Sequence, residues 1–267
     1  MSVAARLGRL AFGVLIVALC LFFLAPMLVV CYLAFSPVGF FKFPVDSLSL
    51  QWFSRLWQTP ALLESFYRSI VLAAVVVPVT GVLAVASALA LRRSRFRGKG
   101  ALDALFSAPI VVPSLVIGVA LLQVYAAGGL TDTWIGVLAA HVVVTFPYFI
   151  RAVYVSLATR QDHLEEAAES LGADPWRVFR TVTFPSIRPG IVSGAIFTFV
   201  VSLDEFNVTL FIVGRDTQTA PVALYNYWFE NANPTVAALS VLIIVIGFAA
   251  AWLADRTVSL ERLLQGR

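Results

Sequence analysis

Two acidic residues and an asparagine lie inside a long apolar run, where polar side chains are unusual. Asp204, Glu205 and Asn207 follow Ser202 and Leu203 in a stretch that is otherwise almost entirely apolar. If this run crosses a bilayer, an acidic side chain near its centre costs about 2.5–3.5 kcal/mol on insertion scales. A carboxylate there can attract a cation in transit, carry protons, or pair with a neighbouring helix.

The spacing of these acids disfavours hydrolytic chemistry. An intramembrane aspartyl hydrolase needs two carboxylates that come from different helices and face each other. Asp204 and Glu205 are adjacent, and adjacent residues of a helix point about 100° apart. We therefore expect one of them to face a pathway and the other to bond to a neighbouring helix. His141 and His163 have no metal-ligand partners at a recognised spacing, so we interpret both as structural and predict no catalytic residue and no metal site.

Residues 157–189 begin with the signals of a short helix outside the membrane. Leu164–Leu171 is rich in strong helix formers, among them three glutamates and two alanines. Gly172 follows directly, and glycine is the residue type best suited to the left-handed turn after a helix. The sequence therefore predicts a helix that ends in a tight turn at Gly172.

A second helix is predicted to start directly after this turn. Asp174 can cap it through its carboxylate, which accepts hydrogen bonds from free backbone N–H groups. Pro175 stands at the first helical position, where its missing N–H costs nothing. We expect Pro185 and Pro189 to close this helix–turn–helix unit before the next apolar run begins.

The same segment carries a spaced pattern that resembles the cytoplasmic loop of the inner-membrane permeases of ABC importers. The pattern consists of Glu166, Ala167, Ala168 and Gly172, followed after nine residues by Val182, Thr183, Phe184 and Pro185. Val182 and Phe184 stand where the family has Ile and Leu, and both keep an apolar anchor. The resemblance covers most of the chain, from Ser69 to Ala254.

In that family the loop is a coupling helix that docks in a groove of an ATPase subunit, and the resemblance implies the same role here. We predict coupling roles for Glu166, Ala167, Ala168, Gly172, Asp174, Pro175, Arg177 and Pro185. The chain has no phosphate-binding loop of its own, because its Gly98-Lys99 pair has Arg93 where the first glycine should be. ATP and Mg²⁺ are therefore expected on a separate partner chain, and this chain needs no cofactor.

The resemblance also implies a type I importer assembly. Its other members are a similar but distinct second permease, two ATP-binding subunits, and a periplasmic or lipid-anchored solute-binding protein. Transport would proceed by alternating access, with Asp204, Glu205 and Asn207 along the solute pathway. Ser202-Leu203-Asp204 looks like the corresponding stretch of polyamine-type permeases, which implies a polyamine or another small, cationic solute. Related permeases also serve iron, phosphonates and opines.

Two alternatives remain open for the acidic pair. A proton-coupled secondary transporter would use Asp204 or Glu205 to carry protons and would need no ATPase, but it leaves the spaced loop pattern unexplained. Alternatively, Asp204 pairs with a backbone or basic group and locks two permease halves together without touching solute. Dependence of uptake on a partner ATPase separates the two transporter classes.

The elements that position these residues are predicted to be about six transmembrane helices of an all-α membrane protein. The sequence is 60% hydrophobic and 13% charged, whereas soluble domains carry about 25% charged residues. The predicted spans are Leu10–Phe35, Ser69–Leu91, Ala101–Ala126, Trp134–Leu157, Gly190–Val213 and Val236–Ala254. The first is interpreted as an uncleaved span, because the apolar region of a signal peptide has about 7–15 residues. Residues 1–267 are expected to form a single permease domain with its core in residues 69–254.

The distribution of charge predicts a multi-pass protein of the bacterial inner membrane with both termini in the cytoplasm. Of the 19 lysine and arginine residues, fifteen fall in segments that this topology places inside. The remaining four are Lys42, Arg55, Arg68 and Arg215. Topology therefore explains the net charge of +4 without a nucleic-acid partner, and membrane lipids are the expected surroundings. Cys20 and Cys31 both lie in the first run and indicate neither a disulfide nor a zinc site.

Prolines and glycines inside the predicted spans indicate kinks and close contacts. Pro109 and Pro113 are expected to kink the third span, which membranes tolerate where neighbours satisfy the freed backbone groups. Gly190 and Gly194 have the spacing that lets two helices approach closely. The connection after the first span contains four aromatic residues with helical spacing, Trp52, Phe53, Trp57 and Phe66. We expect it to be either a short amphipathic helix at the headgroup level or a plain connector.

Overall fold

Helices make up the regular structure of this chain, which a computed structural model describes over residues 3–45, 47–94, 96–157 and 162–264. No strand occurs within these residues, so the predicted all-α fold class is confirmed. In chain order the helices are α1 (Val3–Leu33), α2 (Gln51–Trp57), α3 (Pro60–Arg93), α4 (Lys99–Val111), α5 (Ser114–Gly128), α6 (Trp134–Leu157), α7 (Asp162–Ser170), α8 (Pro175–Val178), α9 (Phe184–Asp204), α10 (Thr209–Ile212), α11 (Ala220–Asn231) and α12 (Thr235–Leu264). A π-helical turn, Phe179–Thr183, lies between α8 and α9.

Five helical stretches of the described chain are long and apolar enough to cross a membrane, and a bent pair makes up to six crossings. The five are Arg9–Leu33, Pro60–Arg92, Trp134–Leu157, Pro175–Asp204 and Thr235–Leu253. The bent pair consists of α4 and α5, which meet at an angle of 108°. The prediction of about six transmembrane helices is therefore confirmed, and α6 has the predicted bounds.

The predicted third span, Ala101–Ala126, is wrong as a single helix. The helix is divided after Val111, and the next two residues, Val112 and Pro113, both have extended backbones with ψ angles of 130°. Proline disfavours the helical conformation in the residue before it and has no N–H to donate into a helix. Pro113 therefore precedes a new helix, whereas Pro109 lies within α4 without ending it.

The predicted fifth span, Gly190–Val213, also has the wrong bounds. Helix α9 ends at Asp204, because Glu205 adopts an extended conformation with a ψ angle of 110°. The carboxylate of Glu205 accepts a hydrogen bond from the backbone N–H of Val208 at 2.9 Å, which stabilises a turn in place of a helical bond. The acidic residues therefore lie where a helix ends and not within one.

The helix–turn–helix unit is not closed by Pro185 and Pro189, as the sequence had suggested. Val178, Thr183 and Phe184 all have right-handed helical dihedral angles, so α8, the π-helical turn and α9 form one continuous helical stretch. A π turn shifts the hydrogen-bond register by one residue. Pro185 consequently lies within this helical stretch, directly after the π-helical turn and Phe184, and does not end it.

The chain divides by its internal contacts into two units, and the first consists of residues up to Leu63 together with Leu224–Val245. In this unit the indole N–H of Trp52 donates to the carbonyl oxygen of Ser36 at 2.7 Å, and Trp52 is buried. Of the two alternatives left open for this segment, a short helix is present as α2, although Phe66 lies outside it in α3.

The second unit contains Glu64–Ala223 and is organised around close packing of α9 on α6. A Cβ atom placed on Gly194 would lie 2.7 Å from Cδ1 of Phe149, and one placed on Gly190 would lie 2.6 Å from the carbonyl oxygen of Ala152. Both distances are too short for a real side chain. The close helix contact predicted from the glycine spacing is therefore confirmed.

The variant Gly194→Ala should destabilise this unit by overpacking. The added methyl group meets the Phe149 ring, which is 1% exposed and has little room to move. Overpacking of this kind costs about 1–3 kcal/mol, so we expect a lower midpoint of thermal unfolding in detergent. Gly247→Ala in α12 is the matched control, because nothing lies within 4 Å of its added methyl group. Equal midpoints for the two variants would contradict the packing described here.

Candidate coupling surface and solute pathway

The turn after α7 is built as the sequence predicts. Gly172 has a φ angle of +83°, in the left-handed region that favours glycine. Its N–H donates to the carbonyl oxygen of Glu169 at 2.9 Å, and the N–H of Ala173 donates to that of Ala168 at 3.1 Å. These two bonds form the Schellman motif, which satisfies carbonyl groups at the end of a helix. The turn at Gly172 is therefore a defined structure and not a loose connection.

The start of α8 is capped by Asp174, which confirms the sequence prediction. One carboxylate oxygen, Oδ1, accepts from the backbone N–H groups of Trp176 at 3.0 Å and Arg177 at 3.1 Å. Pro175 occupies the first turn, where no N–H is needed. The predicted coupling loop, residues 157–189, thus has a fixed geometry around its turn, while residues 158–161 lie outside the described residues.

The surface around this turn is exposed and partly apolar. Leu171 is 89% exposed and Trp176 is 68% exposed, on the two sides of Gly172. Large exposed apolar side chains at a solvent-facing turn are typical of a docking surface. The predicted coupling residues Glu166, Ala167, Gly172, Asp174, Pro175, Arg177 and Pro185 are exposed, and Ala168 is half-buried. Pro185 alone of this set lies in α9.

The N-cap at Asp174 can be tested locally. Replacing it in Asp174→Ala removes the acceptor of two backbone N–H groups, a loss of about 0.5–2 kcal/mol. We expect hydrogen exchange in the peptide that contains Trp176 and Arg177 to become faster by a few-fold to about thirtyfold. Asp174→Asn is the matched control, because its amide oxygen accepts the same bonds. Unchanged exchange in Asp174→Ala would show that the cap contributes nothing.

The predicted pathway residues lie together in the break between α9 and α10. Asp204 is the last residue of α9, and its side chain is exposed within the described chain, as is that of Asn207. Glu205 is half-buried and bonds to the backbone of Val208. The two acids therefore differ in exposure, and whether one of them faces a pathway stays a prediction. Glu205 bonds to its own turn and not, as expected, to a neighbouring helix.

One buried histidine holds both sides of this break. His141 on α6 is fully buried, and its Nδ1 lies 2.9 Å from the hydroxyl oxygen of Ser202. Its Nε2 lies 3.0 Å from the hydroxyl oxygen of Thr209. Ser202 precedes the acidic residues and Thr209 follows them, so a single imidazole ring positions the segment between. These bonds agree with a structural role for His141.

Further contacts support the break from two other helices. The hydroxyl of Thr145 donates to the carbonyl oxygen of His141 at 2.7 Å and lies 3.2 Å from the hydroxyl oxygen of Thr80 on α3. On α5, a Cβ atom placed on Gly118 would lie 3.1 Å from the carbonyl oxygen of Asn207. The Thr80–Thr145 pair therefore joins α3 to α6 near His141, and Gly118 allows α5 to approach the backbone of Asn207 closely.

Sequence reasoning identified the acids but not the residues that position them. Ser202 and Thr209 stand 61 and 68 positions from His141, and no spacing rule within a single sequence connects residues so far apart. The available signal was a lone histidine in an apolar span, which needs polar partners when it is buried. Among the described residues no group of three or more potential ligands could hold a metal ion, and the side chain of His163 lies outside them.

Helices that can cross a membrane and a structured loop between two of them are features that membrane-spanning transporter subunits have. The chain is a member of the family of binding-protein-dependent transport system inner membrane components, which matches residues 80–259, more than half of its length. Members of this family are transport components of ABC importers and not enzymes. The match gives no support to a proton-coupled secondary transporter.

Several named relatives are similar to this chain in sequence over most of their length. The putrescine transport system permease protein PotI of Escherichia coli (strain K12) is 30% identical over 219 residues, which cover 78% of each chain. The spermidine/putrescine permease PotC of the same strain is 24% identical over 240 residues, 90% of each chain. The molybdenum transport system permease ModB of Haemophilus influenzae is 33% identical over 190 residues, 65% of this chain and 83% of its own.

Solved structures of bacterial ABC importers have the same fold. A chain of a transporter involved in the import of the acidic polysaccharide alginate matches with a TM-score of 0.69 and 16% identity, covering 97% of this chain and 98% of that one. A chain of the alginate transporter in complex with its pentasaccharide-bound periplasmic protein matches with a TM-score of 0.72 and 14% identity, over 94% of each. The type I importer fold is thereby established.

Proposed function

We propose that this chain is one of two permease subunits of an ABC importer that moves a small cationic solute, with a polyamine as the best-supported candidate. The observation that carries the proposal is the exposed carboxylate of Asp204 at the end of a membrane-spanning helix. The relatives include a putrescine permease, which supports a polyamine as the solute. They also include a molybdenum permease, so the solute has to be identified by an uptake measurement. In this proposal residues 1–267 act as one permease domain with both termini in the cytoplasm.

The proposed partners follow from the family and the loop. Two separate ATPase subunits bind ATP and Mg²⁺, a second permease completes the membrane part, and a periplasmic or lipid-anchored binding protein delivers the solute. The exposed surface beside Gly172, with Leu171 and Trp176, supports docking of an ATPase at this turn. The lysine and arginine distribution supports its location on the cytoplasmic side.

A continuous helix connects the proposed docking surface with the proposed pathway. The helical stretch Pro175–Asp204 has 30 residues, which corresponds to about 45 Å at 1.5 Å per residue. It starts three residues after Gly172 and ends at Asp204. Movement of the docked loop can therefore reach the acidic segment along one element, as alternating access requires.

The charge of Asp204 suits a cation. Among the described residues no basic side chain lies within ion-pair distance of Asp204. A carboxylate in a membrane-spanning region costs about 2.5–3.5 kcal/mol, and the ammonium groups of a polyamine would offset this cost during transit. An anionic solute would instead be repelled.

Loss of the Asp204 charge should lower uptake of the cation. We expect Asp204→Asn to reduce ATP-driven uptake of radiolabelled putrescine and spermidine by about tenfold, equivalent to about 1.4 kcal/mol. The measurement uses proteoliposomes that hold the complete transporter and its binding protein. Glu205→Gln is the comparison, because its amide oxygen still accepts from Val208, and we expect a smaller loss. Full uptake by Asp204→Asn would disprove the cationic pathway.

The turn at Gly172 should be required for coupling. Gly172→Val forces a β-branched residue into a left-handed conformation, at about 1–2 kcal/mol or more, and shifts the surface that docks the ATPase. We expect ATP-driven uptake to fall severalfold while the chain still inserts. Gly98→Val is the matched control, because Gly98 is also left-handed, with φ +101°, and has open space around it. If both variants lose uptake equally, the turn has no special role in coupling.

A further inference from the structure

A single carboxylate oxygen joins the coupling helix α7 to two membrane-spanning elements. Oε1 of Glu165 accepts from the hydroxyl of Thr183 at 2.6 Å and from Nη1 of Arg92 at 3.3 Å. Arg92 lies in the last turn of α3, and Thr183 is the last residue of the π-helical turn before α9. We refer to Glu165, Arg92 and Thr183 as the Glu165 junction.

The junction is mostly buried and is not part of the exposed surface beside Gly172. The side chains of Glu165 and Arg92 are only 14% and 17% exposed, and Thr183 is fully buried. Glu166, the next residue and the first of the spaced pattern, is exposed. Adjacent residues of a helix point about 100° apart, so the two acids face different surroundings. Glu165 faces the spanning helices, while Glu166 faces outward.

The position of Thr183 matters because the hydrogen-bond pattern of the long helix changes at the π-helical turn. Its wider hydrogen-bond pattern is rare, and such turns occur frequently at functional sites. Movement of α8 that is absorbed by this turn would not reach α9. A bond from α7 directly to the end of the turn bypasses it, and the pair with Arg92 adds a connection to α3.

We propose that Glu165 is a positioning residue that transmits movement of the coupling helix to α9 and α3 through Thr183 and Arg92. This role rests on the proposed function, because it has meaning only if an ATPase moves the loop. Glu165 itself needs no contact with the ATPase. The spaced pattern leaves the Thr183 position open, so the pattern alone does not indicate the junction.

The test is the number of solute molecules moved per ATP hydrolysed by the complete transporter in proteoliposomes. Thr183→Val removes the donor of a partly buried, charge-assisted hydrogen bond, and Glu165→Gln removes the charge that strengthens this bond. Each variant should lower the ratio by about fivefold to tenfold. ATP hydrolysis and co-purification of the ATPase should persist. Thr183→Ser keeps the hydroxyl and should restore the normal ratio. The double variant Glu165→Gln/Thr183→Val should lose less than the two single variants together, because both changes weaken the same bond.

A matched control separates the junction from the charge of α7 in general. Glu169→Gln neutralises an exposed acid on the same helix and should leave the ratio unchanged. Hydrogen exchange across residues 164–171 gives a second readout that needs no ATPase. Exchange should become faster in Glu165→Gln and Thr183→Val but not in Glu169→Gln. If the Glu165→Gln transporter does not assemble, the Thr183→Val variant tests the proposal by itself. It keeps the ion pair between Glu165 and Arg92, and valine has nearly the same volume as threonine.

The outcomes separate this proposal from the proposed function. If the wild-type transporter couples uptake to ATP but Glu165→Gln and Thr183→Val keep a normal ratio, the junction has no transmitting role and the importer function stands. Additive losses in the double variant overturn the proposal in the same way. If the wild-type transporter takes up no solute in response to ATP, the proposed function is wrong. The transmitting role of Glu165 is then wrong as well, because it depends on that function.

Discussion

The bonds of His141 to Ser202 and Thr209 allow a helix to be broken inside an apolar protein, and the arrangement of the acids depends on them. A break leaves backbone and side-chain polar groups that have no water to bond to in a membrane. Here the imidazole accepts or donates at 2.9 and 3.0 Å to the two sides of the break, and the carboxylate of Glu205 bonds to the backbone within it. With these groups satisfied, Asp204 is left with an exposed carboxylate. The same constraint explains why the histidine is structural although it lies beside the proposed pathway.

The second organising feature is the continuity of the helix from the coupling turn to Asp204. Gly172 and Asp174 define its start through local hydrogen bonds, and Gly190 and Gly194 bring its middle against α6. The π-helical turn interrupts the regular hydrogen-bond pattern of this stretch, and Glu165 bonds to the residue that ends it. The proposed docking surface, the proposed transmitting contact and the proposed pathway therefore lie along one chain segment, and each is supported by contacts from a different neighbour. This arrangement accounts for a family whose shared pattern lies in a loop while its solutes differ.

Local signals in the sequence predicted local structure well. The left-handed turn at Gly172, the cap at Asp174 and the bounds of α6 depend on interactions between residues a few positions apart, and all three were predicted correctly. The prolines were harder to interpret. Pro113 separates two helices where a kink was expected, whereas Pro185 and Pro189 lie within a helix that they were expected to end. The effect of a proline depends on whether its missing N–H falls at a turn or a register shift, and residue type does not reveal that. The end of α9 at Asp204 was missed for a similar reason, because it depends on Glu205 and His141.

The amino-acid sequence by itself determined the membrane class, the approximate number of spans and the coupling pattern, because apolar run length, charge distribution and residue spacing are all properties of the chain in order. Only the tertiary structure decided which acid of each adjacent pair faces inward. Residue type alone does not predict which acid is the more buried one in the pair Glu165 and Glu166, or in the pair Asp204 and Glu205. Helical geometry sets the angle between adjacent side chains, but it does not determine which side of the helix packs against the rest of the protein. Arg92 and Thr183 contact Glu165, and His141 bonds to Ser202 beside Asp204, so the contacts come from residues that lie far away in the sequence.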